Sequence, residues 1–179
     1  MDLLTTASRI GVEGFLHPEE LEKLSELATN REVLEVGSFR GLSAWGMAIT
    51  AKSVLCVDTF EAATDGQRQT GGVTTLADFV RATARFANVS HIRSTSQAAA
   101  DLPETQRQFG MIFIDAMHTY EDVKGDIQRW YPRLESGGVF VMHDYGHEHF
   151  PGVKQAADEL LGPVARFNTV ISLMWLYKP

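Results

Sequence analysis

The segment from Val33 to Ser43 constrains the fold of this chain more than any other. A short apolar run ends at Glu35-Val36, glycines follow at Gly37 and Gly41, and an apolar stripe with helical spacing begins at Leu42. This order predicts a strand, a tight turn and a helix. Because glycines leave no Cβ above the helix N-terminus, a flat polar ligand can approach the main chain closely. The segment therefore predicts an α/β fold with a nucleotide-type pocket.

The rest of the chain repeats this alternation of strand and helix. Helical stripes separate apolar runs that predict strands at about 32–36, 53–57, 89–93, 110–114 and 139–142. Gly137-Gly138 is expected to turn the chain into the last of these strands. Helix starts are expected at two capping boxes, Thr75 with Asp78 and Thr119 with Asp122.

Two final apolar runs, 164–167 and 170–177, are joined only by Asn168-Thr169. So short a connection predicts an antiparallel hairpin. The expected fold class is a Rossmann-like, doubly wound sheet of seven strands, mostly parallel, with an antiparallel C-terminal hairpin.

Length and composition limit the class of protein. A chain of 179 residues predicts one domain, 1–179, whose residues 1–30 form a helical segment packed on the sheet. No apolar run approaches the roughly 18 residues of a membrane helix, and the first residues lack the basic region of a signal peptide. We therefore expect a cytoplasmic protein with no membrane partner. A formal charge of −7 argues against a nucleic-acid partner.

Polar residues follow the second and third predicted strands where each ends. Asp58 lies one helix and one strand beyond the glycine loop, the distance at which nucleotide-binding α/β folds bind ribose hydroxyls. An acid at a strand end is also a common turn former, although the nearby glycine loop favours the ribose interpretation. Ser94–Gln97 either caps the next helix or contacts an adenine, and both interpretations stay open.

The fourth and fifth strands end in acids and histidines. Asp115 and Asp144 follow neighbouring strands, so their carboxylates could share a divalent cation. His143 would be a third ligand that favours a transition metal such as Mn²⁺ or Fe²⁺. The alternative is that both acids only accept hydrogen bonds from backbone amides. His118, three residues past Asp115, has the chemistry of a general base near neutral pH.

Together these segments resemble a known family. Residues 35–41, Glu-Val-Gly-Ser-Phe-Arg-Gly, resemble the E-x-G-x-x-x-G motif of class I S-adenosylmethionine-dependent methyltransferases. Residues 113–120 and 137–145 resemble the small-molecule O-methyltransferases related to macrolide sugar O-methyltransferases and, more distantly, to catechol O-methyltransferases. The resemblance runs from about residue 18 to the end of the chain.

The resemblance implies S-adenosylmethionine as the cofactor. It implies that the glycine loop holds the methionine part, that the acid after the second strand takes the ribose hydroxyls, and that the residues after the third strand lie near the adenine. The residues expected to bind the cofactor are Glu35, Gly37, Ser38, Gly41, Asp58, Thr59, Ser96, Gln97 and Asp115.

The resemblance also implies a reaction. In metal-dependent relatives, acids at the positions of Asp115 and after the fifth strand bind Mg²⁺; Asp144 matches, whereas His143 stands where the relatives have an acid. We therefore expect a divalent metal, Mg²⁺ or Mn²⁺, on Asp115, His143 and Asp144, with His118 and Asp115 as catalytic residues. The expected function is methyl transfer to a hydroxyl of a small molecule, sugar or phenol in type, by a chain that could form homo-oligomers.

Two other functions compete with this interpretation. A NAD-dependent Rossmann oxidoreductase shares the strand, glycine turn and ribose acid, but the loop lacks the three-glycine G-x-G-x-x-G spacing. A cofactor-binding module without catalysis would use the same acids and histidines structurally. The loops 61–74 and 145–152 are expected to select the acceptor in an enzyme of this length.

Overall fold

The computed structural model describes residues 2–61 and 74–179. Within these ranges the strands are β1 (Glu32–Val36), β2 (Ser53–Asp58), β3 (Val89–Arg93), β4 (Phe109–Ile114), β5 (Leu134–Met142), β6 (Asn168–Val170) and β7 (Leu173–Tyr177). They form one sheet in the order β3-β2-β1-β4-β5-β7-β6. Only β7 runs antiparallel to its neighbours, β5 and β6, among the strands described. The predicted fold class is confirmed.

Helices cover both faces of the sheet. They are α1 (Leu3–Arg9), α2 (Pro18–Ala28), α3 (Leu42–Ala48), α4 (Leu76–Thr83), α5 (Ser96–Ala99), α6 (Tyr120–Trp130) and α7 (Pro151–Leu160). Successive strand residues point to opposite faces, so Val33 packs in the core beneath α2 and α3, whereas Leu34 packs in the core beneath α6 and α7. Buried on both faces, the central strands are continuous apolar runs.

The C-terminal hairpin is confirmed, but its predicted turn was wrong. Asn168 and Thr169 lie in β6, and the chain turns at Ile171-Ser172, where Ile171 has a φ of 54°. The turn lies there because Ser172 is held from both sides: its N–H donates to a carboxylate oxygen of Glu20 at 2.9 Å, and its carbonyl accepts from the Tyr145 N–H at 2.9 Å. Tertiary hydrogen bonds outweigh the local turn preference of Asn-Thr.

Two further local predictions differ from the structure. Gly137-Gly138 lies inside β5, where Gly137 has a φ of 73° at an irregularity in the pairing with β4, so the glycines bend a strand that has already begun. Thr75 makes no side-chain cap bond because its backbone is already helical, and Asp78 pairs with Arg81 instead. At Thr119 the N-cap is confirmed, since its hydroxyl accepts from the Asp122 N–H, but the Asp122 carboxylate accepts from the Thr119 hydroxyl rather than from its backbone N–H, so only half of the predicted capping box forms.

The parallel strands end along one edge of the sheet, called here the carboxyl edge. Gly37 and Gly41, both with φ of 90°, turn the β1–α3 loop over this edge. A Cβ at Gly37 would lie 2.1 Å from the backbone oxygen of Asp115, so only glycine allows the loop to pack this closely on the end of β4. The predicted loop 61–74 lies outside the described residues except for its two end residues, which form an antiparallel bridge.

No helix in the described ranges has the length and apolar character needed to cross a membrane.

Candidate active site

A cavity of about 800 Å³ lies along the carboxyl edge, a volume typical of small-molecule sites. Its wall combines the β1–α3 loop, the ends of β2, β3 and β4, the first turns of α6 and the N-terminal segment 13–16. The predicted site residues on this wall are Gly37, Ser38, Asp58, Thr59, Ser96, Gln97, Asp115 and His118. The predicted site residues Glu35, Gly41, His143 and Asp144 do not line it.

Asp58 organises the glycine loop from the end of β2. Its Oδ2 accepts hydrogen bonds from the N–H groups of Ser38 at 2.7 Å and Phe39 at 2.8 Å, and its Oδ1 accepts from the Phe60 N–H at 2.6 Å. Phe39 has a φ of 47°, a conformation that these bonds help to hold. The carboxylate therefore fixes the loop shape as well as lining the cavity.

Glu35 lies beneath the loop rather than on the cavity wall. It is fully buried and accepts a hydrogen bond from the Ser38 hydroxyl at 2.5 Å. Burial raises the pKa of Glu35 to about 7, although the hydrogen bond from Ser38 acts in the opposite direction. Glu35 can therefore act on a cavity ligand through Ser38, which lines the cavity.

A buried polar group stands at the far end of the cavity, where α5 meets α6. The Ser96 hydroxyl donates to Asp126 and accepts from the Trp130 indole N–H at 2.8 Å. Thr95, and not Ser96, caps α5, since the Thr95 hydroxyl accepts from the Ala98 N–H. Asp126 lines the cavity, is 4% exposed, and has its pKa raised by burial to about 6. In the sequence, Asp126 was recognisable only as a carboxyl residue on the apolar face of α6.

Two acids and a histidine converge at the ends of β4 and β5. Ligand atoms of Asp115, His118 and Asp144 all lie within 4.8 Å of one another. The His118 Nε2 is 3.0 Å from the Asp144 Oδ2 and 3.7 Å from the Asp115 Oδ1. The predicted ligand His143 lies outside this compact trio but beside it, with its Nδ1 3.5 Å from each of the same two oxygens.

The carboxylates and imidazoles perturb one another strongly. Burial alone would lower the pKa of His118, but Asp115 and Asp144 outweigh it and raise that pKa to about 9. They likewise raise the pKa of His143 to about 12 against the effect of burial. The histidines in turn hold the pKa of both carboxyls below its usual range although burial opposes this. With no cation bound, both imidazoles therefore carry a proton near neutral pH.

These atoms fit a divalent cation. Ligand atoms bound to one cation at about 2.1 Å lie about 3 Å apart when adjacent, close to the separations found here. The Asp115 Oδ1 and the His143 Nδ1 are buried and make no hydrogen bond of good geometry within the described ranges. Mixed carboxylate and imidazole ligands are typical of Mn²⁺, Fe²⁺ or Zn²⁺ sites more than of Mg²⁺ sites.

Glu20 and Ser172, which the sequence did not indicate as site residues, complete the cluster behind His143. Glu20 is fully buried, and its Oε2 lies 3.1 Å from the His143 Nε2. Its pKa is lowered to about 2, because hydrogen bonds from His143 and neighbouring groups outweigh burial. In the sequence Glu20 was only a first-turn acid of a helix.

Phe150, also missed from sequence, fixes the plane of His118. The two rings stack with their centroids 4.2 Å apart and their planes 25° from parallel. A Cβ at Gly152 would lie 2.8 Å from the His118 backbone oxygen, so the start of α7 packs directly on the segment that carries this histidine. Ring and backbone are therefore both restrained.

The family is decided by a sequence match over this same region. A family described as Methyltransferase domain matches residues 34–145, which run from β1 through Asp144. The chain belongs to this methyltransferase family. The prediction of a methyltransferase is thereby confirmed, the S-adenosylmethionine prediction is supported, and the dehydrogenase alternative is disfavoured. No curated protein sequence matches this methyltransferase significantly.

Solved structures share the fold of this methyltransferase at low identity. The O-methyltransferase NovP is 16% identical, with 92% of this chain and 81% of that chain covered and a TM-score of 0.69. CalS11, a TDP-rhamnose 3'-O-methyltransferase of calicheamicin biosynthesis, is 14% identical over 97% of this chain and 85% of that chain, with a TM-score of 0.66.

An O-methyltransferase from Bacillus cereus, solved in complex with S-adenosylhomocysteine, is 16% identical over 98% of this chain and 89% of that chain, with a TM-score of 0.68. At these identities the likeness shows the fold, and the site must be argued from this chain's own residues.

Proposed function

We propose that this methyltransferase transfers a methyl group from S-adenosylmethionine to a hydroxyl of a small molecule, with help from a divalent metal. The observation that carries the proposal is the position of His118. Its imidazole lines the cavity beside the Asp115 and Asp144 carboxylates, at the edge of the sheet that the glycine loop covers. A histidine beside acids is suited to deprotonating an acceptor hydroxyl.

The cofactor is proposed to lie along the cavity wall from the glycine loop to α6. The methionine part would contact Gly37 and Ser38, and the ribose would lie at Asp58 and Thr59, all of which line the cavity. The adenine would then lie at Ser96 and Gln97, 38 and 39 residues beyond the ribose acid Asp58 in sequence but on the same wall.

The hydrogen bonds of Ser96 suit an adenine amine. Its hydroxyl donates a hydrogen bond to Asp126, and one of its two lone pairs accepts a hydrogen bond from the Trp130 indole N–H. Toward the cavity Ser96 can therefore only accept a hydrogen bond. The exocyclic amine of adenine is a hydrogen-bond donor, so the Ser96 hydroxyl favours adenine over a purine that carries a carbonyl in place of this amine. Asp126 is added on these grounds to the proposed cofactor-binding residues.

The reaction needs the acceptor oxygen aligned and deprotonated. S-adenosylmethionine supplies an electrophilic sulfonium methyl, so the new oxygen–carbon bond forms as the carbon–sulfur bond breaks. His118 is proposed to take the hydroxyl proton, and Phe150 holds its ring in the required plane. Asp115, which faces both His118 and the cavity, would orient the base and the acceptor.

The proposed metal ligands are Asp115, His143 and Asp144. His118 lies on the cavity wall, which suits it to take a proton from the acceptor. His143 and Asp144 lie behind the wall, which suits them to bind the cation. A bound cation would lower the pKa of a coordinated hydroxyl and would neutralise the carboxylates that raise the pKa of His118.

An acceptor of sugar or phenol type is proposed for the open end of the cavity. Phe15 and Phe39 line that end, with ring centroids 5.5 Å apart, and Glu13 lies beside them. Aromatic faces bind sugar rings and phenols alike, while a carboxylate can accept bonds from hydroxyls. The O-methyltransferase neighbours support this acceptor class.

Binding and turnover test the proposal separately. We expect the protein to bind S-adenosylhomocysteine but not NAD in calorimetry, and to methylate members of a panel of nucleotide sugars and phenols with added Mn²⁺ or Mg²⁺. His118→Asn should lower kcat by at least about 100-fold while changing S-adenosylhomocysteine affinity little. Asp144→Asn should also lower kcat, and asparagine tolerates the φ of 57° at this position.

His149→Asn is the matched control, since His149 is an exposed histidine directly before Phe150. Its kcat should stay close to that of the original protein. Full turnover in His118→Asn would refute the assigned base. Binding of S-adenosylhomocysteine with no transfer to any acceptor would favour the cofactor-binding module instead.

A further inference from the structure

We propose that Glu20, together with Ser172, is a positioning residue that fixes His143 as a metal ligand. In this arrangement the imidazole keeps a hydrogen on Nε2, pointing at Glu20, and presents Nδ1 to the cation between Asp115 and Asp144. The inference rests on the metal assistance proposed above. It adds that the metal site depends on residues that lie outside the family match, which covers residues 34–145.

Three distant parts of the chain converge to make this contact. Glu20 comes from the first turn of α2, His143 follows the end of β5, and Ser172 lies in the β6–β7 turn. Glu20 and His143 are 0% and 5% exposed. A buried carboxylate needs several donors to offset its lost hydration, and this one is supplied from all three parts.

The donors around Glu20 determine which nitrogen of His143 carries a hydrogen. The Oε1 accepts from the Ser172 N–H at 2.9 Å and from its hydroxyl at 2.8 Å, and the Oε2 accepts from the His17 N–H at 3.0 Å. Backbone N–H groups can only donate, so Glu20 acts as an acceptor on both oxygens. The His143 Nε2, 3.1 Å from the Oε2, therefore donates its hydrogen to Glu20.

The other nitrogen of His143 is left for the cation. The Nδ1 lies 3.5 Å from the Asp115 Oδ1 and 3.5 Å from the Asp144 Oδ2. Metal-binding histidines commonly donate their second N–H to a carboxylate, which fixes the tautomer and the ring orientation, and loss of that partner commonly costs 10–100-fold in metal affinity. Glu20 occupies the position of that partner.

The two histidines at the site thus differ in their surroundings. His143 is held from behind by a buried carboxylate and does not line the cavity, whereas His118 lines the cavity and stacks on Phe150. The held ring suits a ligand that keeps one orientation through turnover. The ring on the cavity wall suits a group that exchanges a proton with the acceptor.

Metal affinity measured without turnover tests this inference. Binding of Mn²⁺ would be followed by the electron paramagnetic resonance of the free ion, with S-adenosylhomocysteine present, for the full chain and for Glu20→Gln, Ser172→Ala and the control Glu19→Gln. Glu19 is exposed and precedes Glu20 in the same helix turn. We expect Glu20→Gln to weaken Mn²⁺ binding by about 10–100-fold and Ser172→Ala by a smaller factor. Glu19→Gln should match the original protein, and S-adenosylhomocysteine affinity should be unchanged throughout.

The outcomes separate this inference from the proposed function. Unchanged Mn²⁺ affinity in Glu20→Gln would overturn the positioning role and leave the metal site standing. An original protein that binds no Mn²⁺ would overturn both.

If Glu20→Gln fails to fold, the histidine tautomer decides the question in the original protein. Nitrogen-15 NMR of the Zn²⁺-loaded chain should show a hydrogen on the Nε2 of His143 and none on the Nδ1. A hydrogen on the Nδ1 in that state would overturn the inference.

Discussion

Replacing Glu35 with glutamine should remove a pH dependence of stability that the buried carboxyl creates. The pKa of Glu35 is raised from 4.5 to about 7, with burial as the main cause. Between these values the folded chain still holds a proton that the unfolded chain has lost. The free energy of unfolding contributed by this group therefore falls as the pH rises from about 4.5 to 7 and is constant above that range.

The size of the effect follows from the same pKa difference. Each pKa unit corresponds to about 1.4 kcal/mol, so the rise from 4.5 to about 7 corresponds to about 3 kcal/mol. Glutamine is close in shape, does not ionise, and can still accept the hydrogen bond of the Ser38 hydroxyl. Glu35→Gln should therefore resemble the original protein in stability at pH 4.5 and exceed it by about 3 kcal/mol at pH 8.

Urea unfolding at a series of pH values, followed by tryptophan fluorescence and extrapolated linearly, measures the difference. Because other groups titrate in both proteins, only the difference between the two curves reports on Glu35. Glu22→Gln, an exposed substitution, should give a curve parallel to the original. A Glu35→Gln curve that also runs parallel would refute the reasoning, since Glu35 would then ionise in the folded protein much as it does in water.

Three further predictions concern the cavity wall. Gly37→Ala should lower the free energy of unfolding by at least about 3 kcal/mol and abolish S-adenosylhomocysteine binding in calorimetry, because the new Cβ would lie 2.1 Å from a backbone oxygen. The control Gly146→Ala has a φ of 77° but open space around it, so it should lower the free energy of unfolding by only about 1 kcal/mol. Asp126→Asn should lower the affinity for S-adenosylhomocysteine by about tenfold, and should lower the ratio of that affinity to the affinity for S-inosylhomocysteine by about tenfold as well. An unchanged ratio would contradict the proposed amine contact. Phe150→Leu should lower kcat by about tenfold with little change in cofactor affinity, because the ring of His118 loses its stacking partner at 4.2 Å; an equal loss of affinity would point to a binding role instead.

The parallel part of the fold followed from local signals. The strands β1 and β3 have the predicted bounds, 32–36 and 89–93. Strand β1 is a buried apolar run bounded by turn residues, whereas β3 is a partly exposed strand at the edge of the sheet. The bounds of helix α1 within the expected helical segment 1–30 were not predicted, since residues 1–16 carry no strong period. The hairpin turn was misplaced because bonds from residues far along the chain hold Ser172, and no local pattern records them.

The site was predictable where topology alone brings residues together. Strand ends of a parallel sheet meet at one edge, so Asp115, His118 and Asp144 could be expected as neighbours, and the structure brings them together. Glu20 could not be expected there, because it lies 123 residues from His143 and reaches it through helix packing. The burial of Glu35 beneath the loop, rather than on the wall, depends likewise on packing from both sides.

The bond between Ser172 and Glu20 joins residues 152 positions apart, so the proposed metal site is complete only when distant parts of the chain have folded together. Closing so long a loop costs more chain entropy than the local contacts of the sheet, so this bond is expected to form after them. A chain whose C-terminal hairpin is still undocked could have residues 34–145 folded but would lack the Ser172 hydrogen bonds that hold Glu20 against His143. Metal binding during refolding would then lag behind the recovery of secondary structure, and the length of this delay would measure how fast the hairpin docks.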